Sequence, residues 1–318
     1  MKKTIPAVIF ILFVCIAGIS AQSSMSPWWL YDNHYLTDKY IVNPAFSGIQ
    51  YNPKIFASTQ RMAVSLRDAP AVHLAGAHGR LIFGRNRFNR LSSGYKDIRN
   101  AVGGMVFADY NGPFQNIGLK LDYAYIVPVN QKGTTLSFGL GAMLFSKRFN
   151  LDNYYATDPN DPLINASIGN NVIIPDINAG VLLSHDHLYV GLSVSQLLEN
   201  SFQSSKLNYT PAKVYRNFYL LTGYRLVYKG FELEPSIAAG HNFAPESICN
   251  NGNFIDLNLE FYLKPLVFAL SYRIDGYISS SFQYRVQHFE LGIRIDLLST
   301  NSTDARMSGF GVMASYTF

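Results

Sequence analysis

Several segments of the chain alternate strictly between apolar and polar residues. In Phe254 to Leu263, apolar side chains alternate with Asp256, Asn258 and Glu260, and the same pattern returns in 117–125 and 289–297. A period of two residues predicts β-strands whose two faces differ. Charged groups on one face and large apolar groups on the other favour a membrane barrel with a wet lumen and a lipid exterior. A soluble β-sandwich also alternates, so periodicity alone leaves both architectures open.

The alternation and the turn residues between segments predict an all-β fold of about fourteen antiparallel strands. The predicted strands lie near residues 53–66, 71–83, 101–110, 116–127, 134–149, 176–184, 187–196, 214–228, 231–243, 253–263, 265–275, 276–286, 287–298 and 309–318. An even strand number is what a bacterial outer-membrane barrel requires. The predicted organisation is a signal peptide at 1–21, a short N-terminal periplasmic segment at 22–52 and a transmembrane β-barrel at 53–318.

The last ten residues favour the barrel over the sandwich. Their alternation ends on Tyr316 and Phe318, two aromatic residues on the same face. Aromatic rings at the end of a strand are typical of the interfacial girdle of a membrane barrel. Such a terminal strand also resembles the signal that the outer-membrane insertion machinery reads. Tyr316 and Phe318 are therefore predicted to form a membrane-assembly signal.

The N-terminus reads as an export signal. Lys2 and Lys3 precede an apolar run at 5–18, and a cleavage site is plausible after Ala21. No later stretch approaches eighteen consecutive apolar residues, so no transmembrane helix is predicted. These features restrict the protein to the periplasm, the exterior or the outer membrane, and the strand pattern favours a multi-pass protein of the bacterial outer membrane.

Connection lengths agree with a barrel at all but one position. Long connections at 150–175, 197–213, 244–252 and 299–308 alternate with short turns, as in barrels that have long outer loops and short periplasmic turns. The exception is the segment 84–100, which is long although it falls on the periplasmic side. This departure makes 84–100 a candidate functional segment.

Charge singles out the same region. Six basic residues and one acidic residue lie between Arg80 and Arg99, so this region accounts for the formal net charge of +5. A local basic patch indicates a local partner, either an acidic protein surface or anionic lipid headgroups, and argues against a nucleic-acid-binding domain. The candidate partner-binding residues here are Arg85, Arg87, Arg90 and Arg99.

The sequence shows no convincing catalytic or metal-binding pattern. The turn His185-Asp186-His187 has three possible zinc ligands, but no second cluster supplies the rest of a site. The oxygen-rich loop at 158–162 matches calcium loops poorly. No nucleophile motif marks a serine for hydrolysis. We therefore predict a protein without enzymatic activity and without a cofactor.

An aromatic-rich segment precedes the first predicted strand and ends in Asn43-Pro44-Ala45-Phe46-Ser47-Gly48. This motif, the stretch Ala69-Pro70 with His78-Gly79, and the stretch at 189–198 resemble the PorP/SprF family of outer-membrane proteins of the Bacteroidetes type IX secretion system. Family members often have proline where Ser195 stands. The resemblance extends over nearly the whole chain and makes Asn43, Pro44, Ala45, Phe46 and Gly48 further candidates for partner binding. A purely structural role of the motif, turning the chain into the first strand, is the alternative.

The resemblance implies a barrel that helps to secrete or anchor cargo with a C-terminal secretion domain. Its implied partners are outer-membrane lipid, the periplasmic ring lipoprotein with its own partner, and the C-terminal domains of secreted cargo. Two other functions stay open at this stage. A barrel of this size can serve as a channel or transporter for small solutes, and a secreted soluble β-sandwich adhesin would show the same alternation.

Overall fold

The structure is a computed structural model that describes residues 33–50, 52–62, 69–81, 99–130, 133–149, 171–202, 212–243, 253–274, 276–298 and 308–318. Its strands are β1 Lys54–Arg61, β2 Ala71–Arg80, β3 Asn100–Asn111, β4 Phe114–Pro128, β5 Thr135–Phe149, β6 Asn171–His185, β7 Leu188–Ser195, β8 Ser201–Phe202, β9 Ala212–Lys213, β10 Asn217–Tyr224, β11 Leu226–Val227, β12 Glu232–Asn242, β13 Phe254–Leu263, β14 Leu266–Arg273, β15 Tyr277–Val286, β16 Phe289–Leu298 and β17 Ser308–Thr317.

The strands close into an antiparallel barrel. Each wall strand pairs with its neighbours in the chain, and the last strand, β17, pairs with the first, β1, from Lys54 opposite Thr317 to Arg61 opposite Phe310. The short strand β11 continues β10 against β12, while β8 and β9 form a separate two-stranded sheet. The wall therefore has fourteen strands among the described residues. This confirms the predicted fold class and strand number.

The two faces of the wall carry opposite chemistry. On the outer face, large apolar side chains are exposed, such as Leu121 at 61%, Leu140 at 60% and Ile173 at 64%. On the inner face, charged residues such as Lys120 and Asp122 are buried. An apolar exterior around a polar interior is the arrangement of a barrel that stands in a bilayer. Among the described residues, no helix is long and apolar enough to cross a membrane.

One end of the barrel has short turns, such as Asp186-His187 and Lys264-Pro265, and also holds the start of β1 and the end of β17. We call it the short-turn end. By the convention of outer-membrane barrels it is the periplasmic end. The connection from β2 to β3 also lies here, and most of it, including Arg85, Arg87 and Arg90, lies outside the described residues. Arg99 is described and exposed.

Residues Asn33–Gln50 enter the lumen, and we call this segment the plug. It folds into three short 3-10 turns, Asn33–Leu36, Lys39–Ile41 and Pro44–Phe46. The sequence predicted an N-terminal periplasmic segment at 22–52; the structure places residues 33–48 of it against the inner wall, while residues 22–32 lie outside the described residues. The physical reason is apolar burial: Tyr40 and Phe46 are almost fully buried against the inner wall. The apolar residues of the plug have no regular spacing in the sequence, so their pattern did not predict that they would be buried.

The plug and the wall share one hydrophobic core. Apolar plug residues pack with inward-facing wall residues, among them Phe56, Leu74, Met105, Phe107, Met143, Phe145 and Ile174. Tyr40 lies edge-on to Phe56 on β1, with ring centroids 6.1 Å apart. In addition to lining the lumen with polar groups, the wall therefore provides an apolar surface that the plug covers.

Candidate functional site

The motif at residues 43–48 forms the most tightly seated part of the plug. Asn43 caps the third 3-10 turn, because its side-chain oxygen accepts a hydrogen bond of 2.9 Å from the Ala45 amide. Pro44 takes the first position of the turn, where its missing N–H costs nothing. The Ser47 hydroxyl donates to the Pro44 carbonyl at 2.6 Å. The spacing of the motif therefore has a local structural explanation.

The same motif is fastened to the wall. The Asn43 side-chain amide donates to the Leu192 carbonyl at 3.2 Å and to the Val181 carbonyl at 3.4 Å. Both acceptors belong to backbone of the neighbouring strands β6 and β7. Asn43 thus joins a turn of the plug to two wall strands through a single side chain.

Glycines in the wall make room for this contact. A Cβ atom added at Gly139 would lie 2.3 Å from the Ala45 amide nitrogen, and one added at Gly180 would lie 2.1 Å from the Asn43 side-chain oxygen. Real Cβ atoms do not approach other heavy atoms so closely. The plug therefore lies directly on wall backbone, which only glycine allows.

Tyr40 binds a carboxylate of the wall. Its hydroxyl donates to Asp122 on β4 at 2.5 Å, and Asp122 is also 3.4 Å from the ammonium group of Lys120. Lys120 in turn donates to the carbonyls of Ile41, at 3.0 Å, and of Tyr40. The two buried charges of β4 thus pair with each other, and each also forms a hydrogen bond with the plug.

Tyr35 makes a similar contact on the opposite wall. Its hydroxyl donates to Asp256 on β13 at 2.8 Å, and the Arg273 guanidinium on β14 also binds Asp256, at 2.6 Å and 2.8 Å. Two parallel hydrogen bonds from one guanidinium make a strong and well-oriented pair. The plug therefore reaches from β4 to β13.

Lys39 lies between two acidic residues. Its ammonium nitrogen is 3.2 Å from Glu234 on β12 and 3.3 Å from Glu260 on β13. Glu234 is also 2.7 Å from Arg225. Burial by itself would lower the pKa of Lys39, but the Glu260 and Glu234 carboxylates outweigh it and raise that pKa. Lys39 is therefore positively charged throughout the physiological range.

Asp38 completes the set of plug contacts. Its carboxylate is 3.0 Å from the Lys54 ammonium on β1 and 3.1 Å from the His78 ring on β2. The other His78 nitrogen is 2.8 Å from the Ser47 carbonyl. Burial alone would raise the pKa of Asp38, but Lys54 and His78 hold it well below its usual range. The carboxylate stays ionised in mild acid.

A cavity of 1040 Å³ opens beside the plug at the short-turn end. We call it the mouth cavity. The plug contributes Asp38 and Lys39 to its lining, and the wall contributes Lys54, Glu234, Arg285 and Glu290 among others. Positive and negative groups are mixed, so the lining is strongly polar without one dominant sign. Such a space accommodates water and polar solutes.

Of the predicted partner-binding residues, the structure describes the motif and Arg99, while Arg85, Arg87 and Arg90 lie outside the described residues. The side chains of Asn43, Pro44, Ala45 and Phe46 are buried in the lumen, as is Gly48, and none presents a free surface. Arg99 lies at the short-turn end, so the described structure does not bring it together with the motif in one surface. The predicted role of these residues in partner binding remains untested. Of the two interpretations of the motif, the described contacts support the structural one, although the motif fastens the plug and does more than turn the chain.

Tyr316 and Phe318 lie at the end of β17, as predicted. Their rings are 4.9 Å apart, and the Tyr316 ring also lies 4.7 Å from Phe289. The Phe318 amide donates to the Pro53 carbonyl at 3.0 Å, and its side chain is 55% exposed. The last residue therefore helps to close the barrel while its ring faces outward. Whether it acts as an assembly signal is a prediction.

Besides Asn43, four plug residues hold the plug to the wall through polar side chains, and sequence reasoning missed them: Tyr35, Asp38, Lys39 and Tyr40. The sequence did contain a signal for them: several predicted strands have acidic residues at inward positions, and buried acidic residues need basic or hydrogen-bonding partners inside the lumen. Among the described residues, no group of three or more His, Cys, Asp or Glu side chains is arranged to hold a metal ion.

Comparison with models of protein families shows which family this chain belongs to. The family described as the type IX secretion system membrane protein PorP/SprF matches residues 29–316. The chain belongs to this family. The PorP/SprF match includes the plug as well as the whole barrel, so the two parts form one family unit. The resemblance recognised in the sequence is confirmed, and the chain is a multi-pass outer-membrane barrel protein.

Solved structures similar to this PorP/SprF chain are outer-membrane proteins. The CymD monoaromatic hydrocarbon channel shares 12% identity and a TM-score of 0.52, with 95% of each chain covered. The toluene transporter TbuX of Ralstonia pickettii shares 10% identity and a TM-score of 0.48, covering 94% of this chain and 95% of its own. At 12% identity, the likeness to CymD shows the barrel fold alone. No curated protein matches the sequence.

Proposed function

We propose that this chain is a non-enzymatic barrel component of the type IX secretion apparatus, which docks to the periplasmic ring and helps to secrete or anchor cargo with a C-terminal secretion domain. The observation that carries the proposal is the family match over residues 29–316, which spans both plug and barrel. The fold adds a physical argument, because a barrel whose lumen holds a packed plug offers its two ends, more than its interior, to other proteins.

The short-turn end supplies the docking surface in this proposal. Arg99, Lys229 and Lys264 are exposed there, and the basic segment 82–98 is attached between β2 and β3. An accumulation of cations at this end favours an acidic protein surface as the partner. Anionic lipid headgroups are the rival ligand for the same charges. The long connections at the opposite end would meet cargo.

Solute transport is the second candidate, and the described contacts oppose it in this conformation. The plug touches the wall from β1 to β7 and again at β12 and β13. A solute channel requires a continuous path, and the plug occupies the part of the lumen next to those strands. The channel named among the structural neighbours shares only the fold.

The experiment neutralises the basic docking surface. Arg85, Arg87, Arg90 and Arg99 are all replaced by glutamine in the full-length protein, and co-purification of the periplasmic ring lipoprotein is measured. A matched control replaces exposed arginines at the opposite end, Arg61, Arg148 and Arg216, by glutamine. We expect the first variant to lose the ring lipoprotein and to retain cargo in the periplasm, whereas the control behaves as the parent.

Binding of the variants to vesicles with and without phosphatidylglycerol distinguishes an acidic protein partner from anionic lipid headgroups. If the first variant loses only vesicle binding and keeps the ring lipoprotein, the charges serve lipid. If co-purification and secretion are both unchanged, the docking proposal is wrong.

A further inference from the structure

The plug meets the wall through an arrangement that occurs three times. In each case a polar group of the plug binds a wall carboxylate that already has a basic partner in the wall. The three sets are Tyr40 with Asp122 and Lys120, Tyr35 with Asp256 and Arg273, and Lys39 with Glu234 and Arg225. The plug is thus the third member of each set, added to an ion pair that the barrel forms by itself.

This arrangement determines what happens when the plug leaves. A buried carboxylate that loses its only partner is strongly destabilising. Asp122, Asp256 and Glu234 would each keep a cation at 3.4 Å or less. Water that enters the lumen would solvate the remaining oxygens. These three carboxylates therefore offer little electrostatic resistance to loss of the plug. Lys54 and Glu260, whose charged partners Asp38 and Lys39 belong to the plug, line the mouth cavity, where water can solvate them.

Some of the contacts that withdrawal would break lie beside open space. Asp38 with Lys54 and His78, and Lys39 with Glu260, all line the mouth cavity. The cavity continues along the wall beyond Glu260, where Val267 on β14 and Gln283 on β15 also line it. The plug therefore has room beside it at the short-turn end.

We propose that the plug is a removable gate, and that its withdrawal converts the barrel into an aqueous pore for inorganic ions and small hydrated solutes. The polar inner wall, lined with cations and anions together, conducts both signs of ion with little selectivity. This activity is additional to the docking function and does not depend on it. In the described conformation the gate is closed.

The first test weakens the gate without removing it. Tyr35→Phe combined with Tyr40→Phe deletes the two hydroxyl groups that bind Asp256 and Asp122 and preserves ring packing. The full-length protein is placed in planar bilayers of phosphatidylethanolamine and phosphatidylglycerol, and single-channel current is recorded in potassium chloride. We expect rare openings in the parent and openings about tenfold more frequent in the variant, since hydrogen bonds to charged groups are lost. Tyr284→Phe, on the outer face, serves as the matched control and should behave as the parent.

The second test locks the gate. In Asn43→Cys the sulfur takes roughly the place of the Asn43 Cγ, which is 2.9 Å from a Cβ built at Gly180. A disulfide places one sulfur about 3 Å from the Cβ of the other cysteine. Asn43→Cys with Gly180→Cys, in a background where Cys249 is serine, should therefore crosslink the plug to β6. Openings should disappear in the oxidised protein and return after reduction.

The two tests decide the proposal together. Folded samples are selected by heat-dependent migration in detergent gels, so that misfolded barrels are not scored. The proposal is overturned if the folded tyrosine variant stays silent at every voltage. It is also overturned if the oxidised, crosslinked protein opens as often as the reduced one, because the pore would then not pass through the plug.

Discussion

Lys39 in the plug lies 3.2 Å from Glu234 on the inner face of β12, and the same ammonium group is 3.3 Å from Glu260 on the next strand. One plug side chain thus neutralises two neighbouring strands. This contact is the main electrostatic tie between plug and wall on that side of the lumen, and reversing its charge is the most direct test of how firmly the plug is held.

For Lys39→Glu we expect a loosened plug in an intact barrel. The change places three carboxylates together, and breaking a buried pair costs about 3 kcal/mol. Hydrogen exchange of the amides at 33–48 should accelerate strongly, while exchange in β3 to β5 stays as in the parent. Lys229→Glu, on an exposed turn, is the control. Unchanged exchange in the plug would show that apolar packing alone holds it.

Gly139→Ala should displace the motif from the wall. The new methyl group would lie 2.3 Å from the Ala45 amide nitrogen, and backbone cannot move aside cheaply. We expect a loss of about 1–3 kcal/mol in the free energy of unfolding and faster protease cleavage within 33–50. The comparison variant is Gly104→Ala, whose nearest new neighbour is Leu121 Cδ2 at 3.3 Å. Equal stability of the two variants would contradict the close seating of the plug.

Leu140→Arg tests what the outer face contacts. Leu140 is 60% exposed in the middle of β5, where lipid tails would surround it. An arginine near the bilayer midplane costs about 2–4 kcal/mol, and near the interface about 0–1 kcal/mol. We therefore expect Leu140→Arg to destabilise the barrel in vesicles far more than Val129→Arg, which lies in a turn at the short-turn end. If the outer face contacted water and not lipid, both arginine variants would be as stable as the parent.

Removal of Phe318 should impair barrel assembly. The deletion removes the amide that binds the Pro53 carbonyl and the ring that packs on Tyr316. The fraction of protein with heat-dependent gel migration after expression measures assembly. Phe318→Tyr keeps both the amide and an aromatic ring, so it should assemble normally. If the truncated chain inserts as well as the parent, the terminal residue is not an assembly signal.

The pH dependence of the plug follows from Asp38. A carboxylate whose pKa is lowered on folding stabilises the folded state above its unfolded pKa of about 3.9, and this contribution disappears as pH falls through the folded pKa. Because Lys54 and His78 hold the Asp38 pKa well below the usual range, we expect protease protection of the plug at about pH 4.5 to equal that at pH 7. Asp38→Asn should weaken protection at both. Early loss of protection in the parent would argue against this ion pair.

Strand identity and strand number were predictable because alternation is a local property. Segments such as 254–263 carry their inward and outward residues in fixed order, and every predicted barrel strand has a counterpart in the structure. The terminal aromatic pair was equally visible. In contrast, the positions of Tyr35 and Lys39 in the lumen could not be predicted from the sequence, because their partners on β12 and β13 are about two hundred residues away in the chain.

The sequence by itself determined the barrel, its aromatic terminus and its family, because each of these depends on short-range pattern or motif. Only the tertiary structure decided that residues 33–48 fill the lumen and that the motif Asn43 to Gly48 lies on wall glycines. Burial of the plug depends on the shape and charge of a surface that does not exist until the strands have closed. Because the plug segment has no regular periodicity, its own sequence does not predict that it binds this surface.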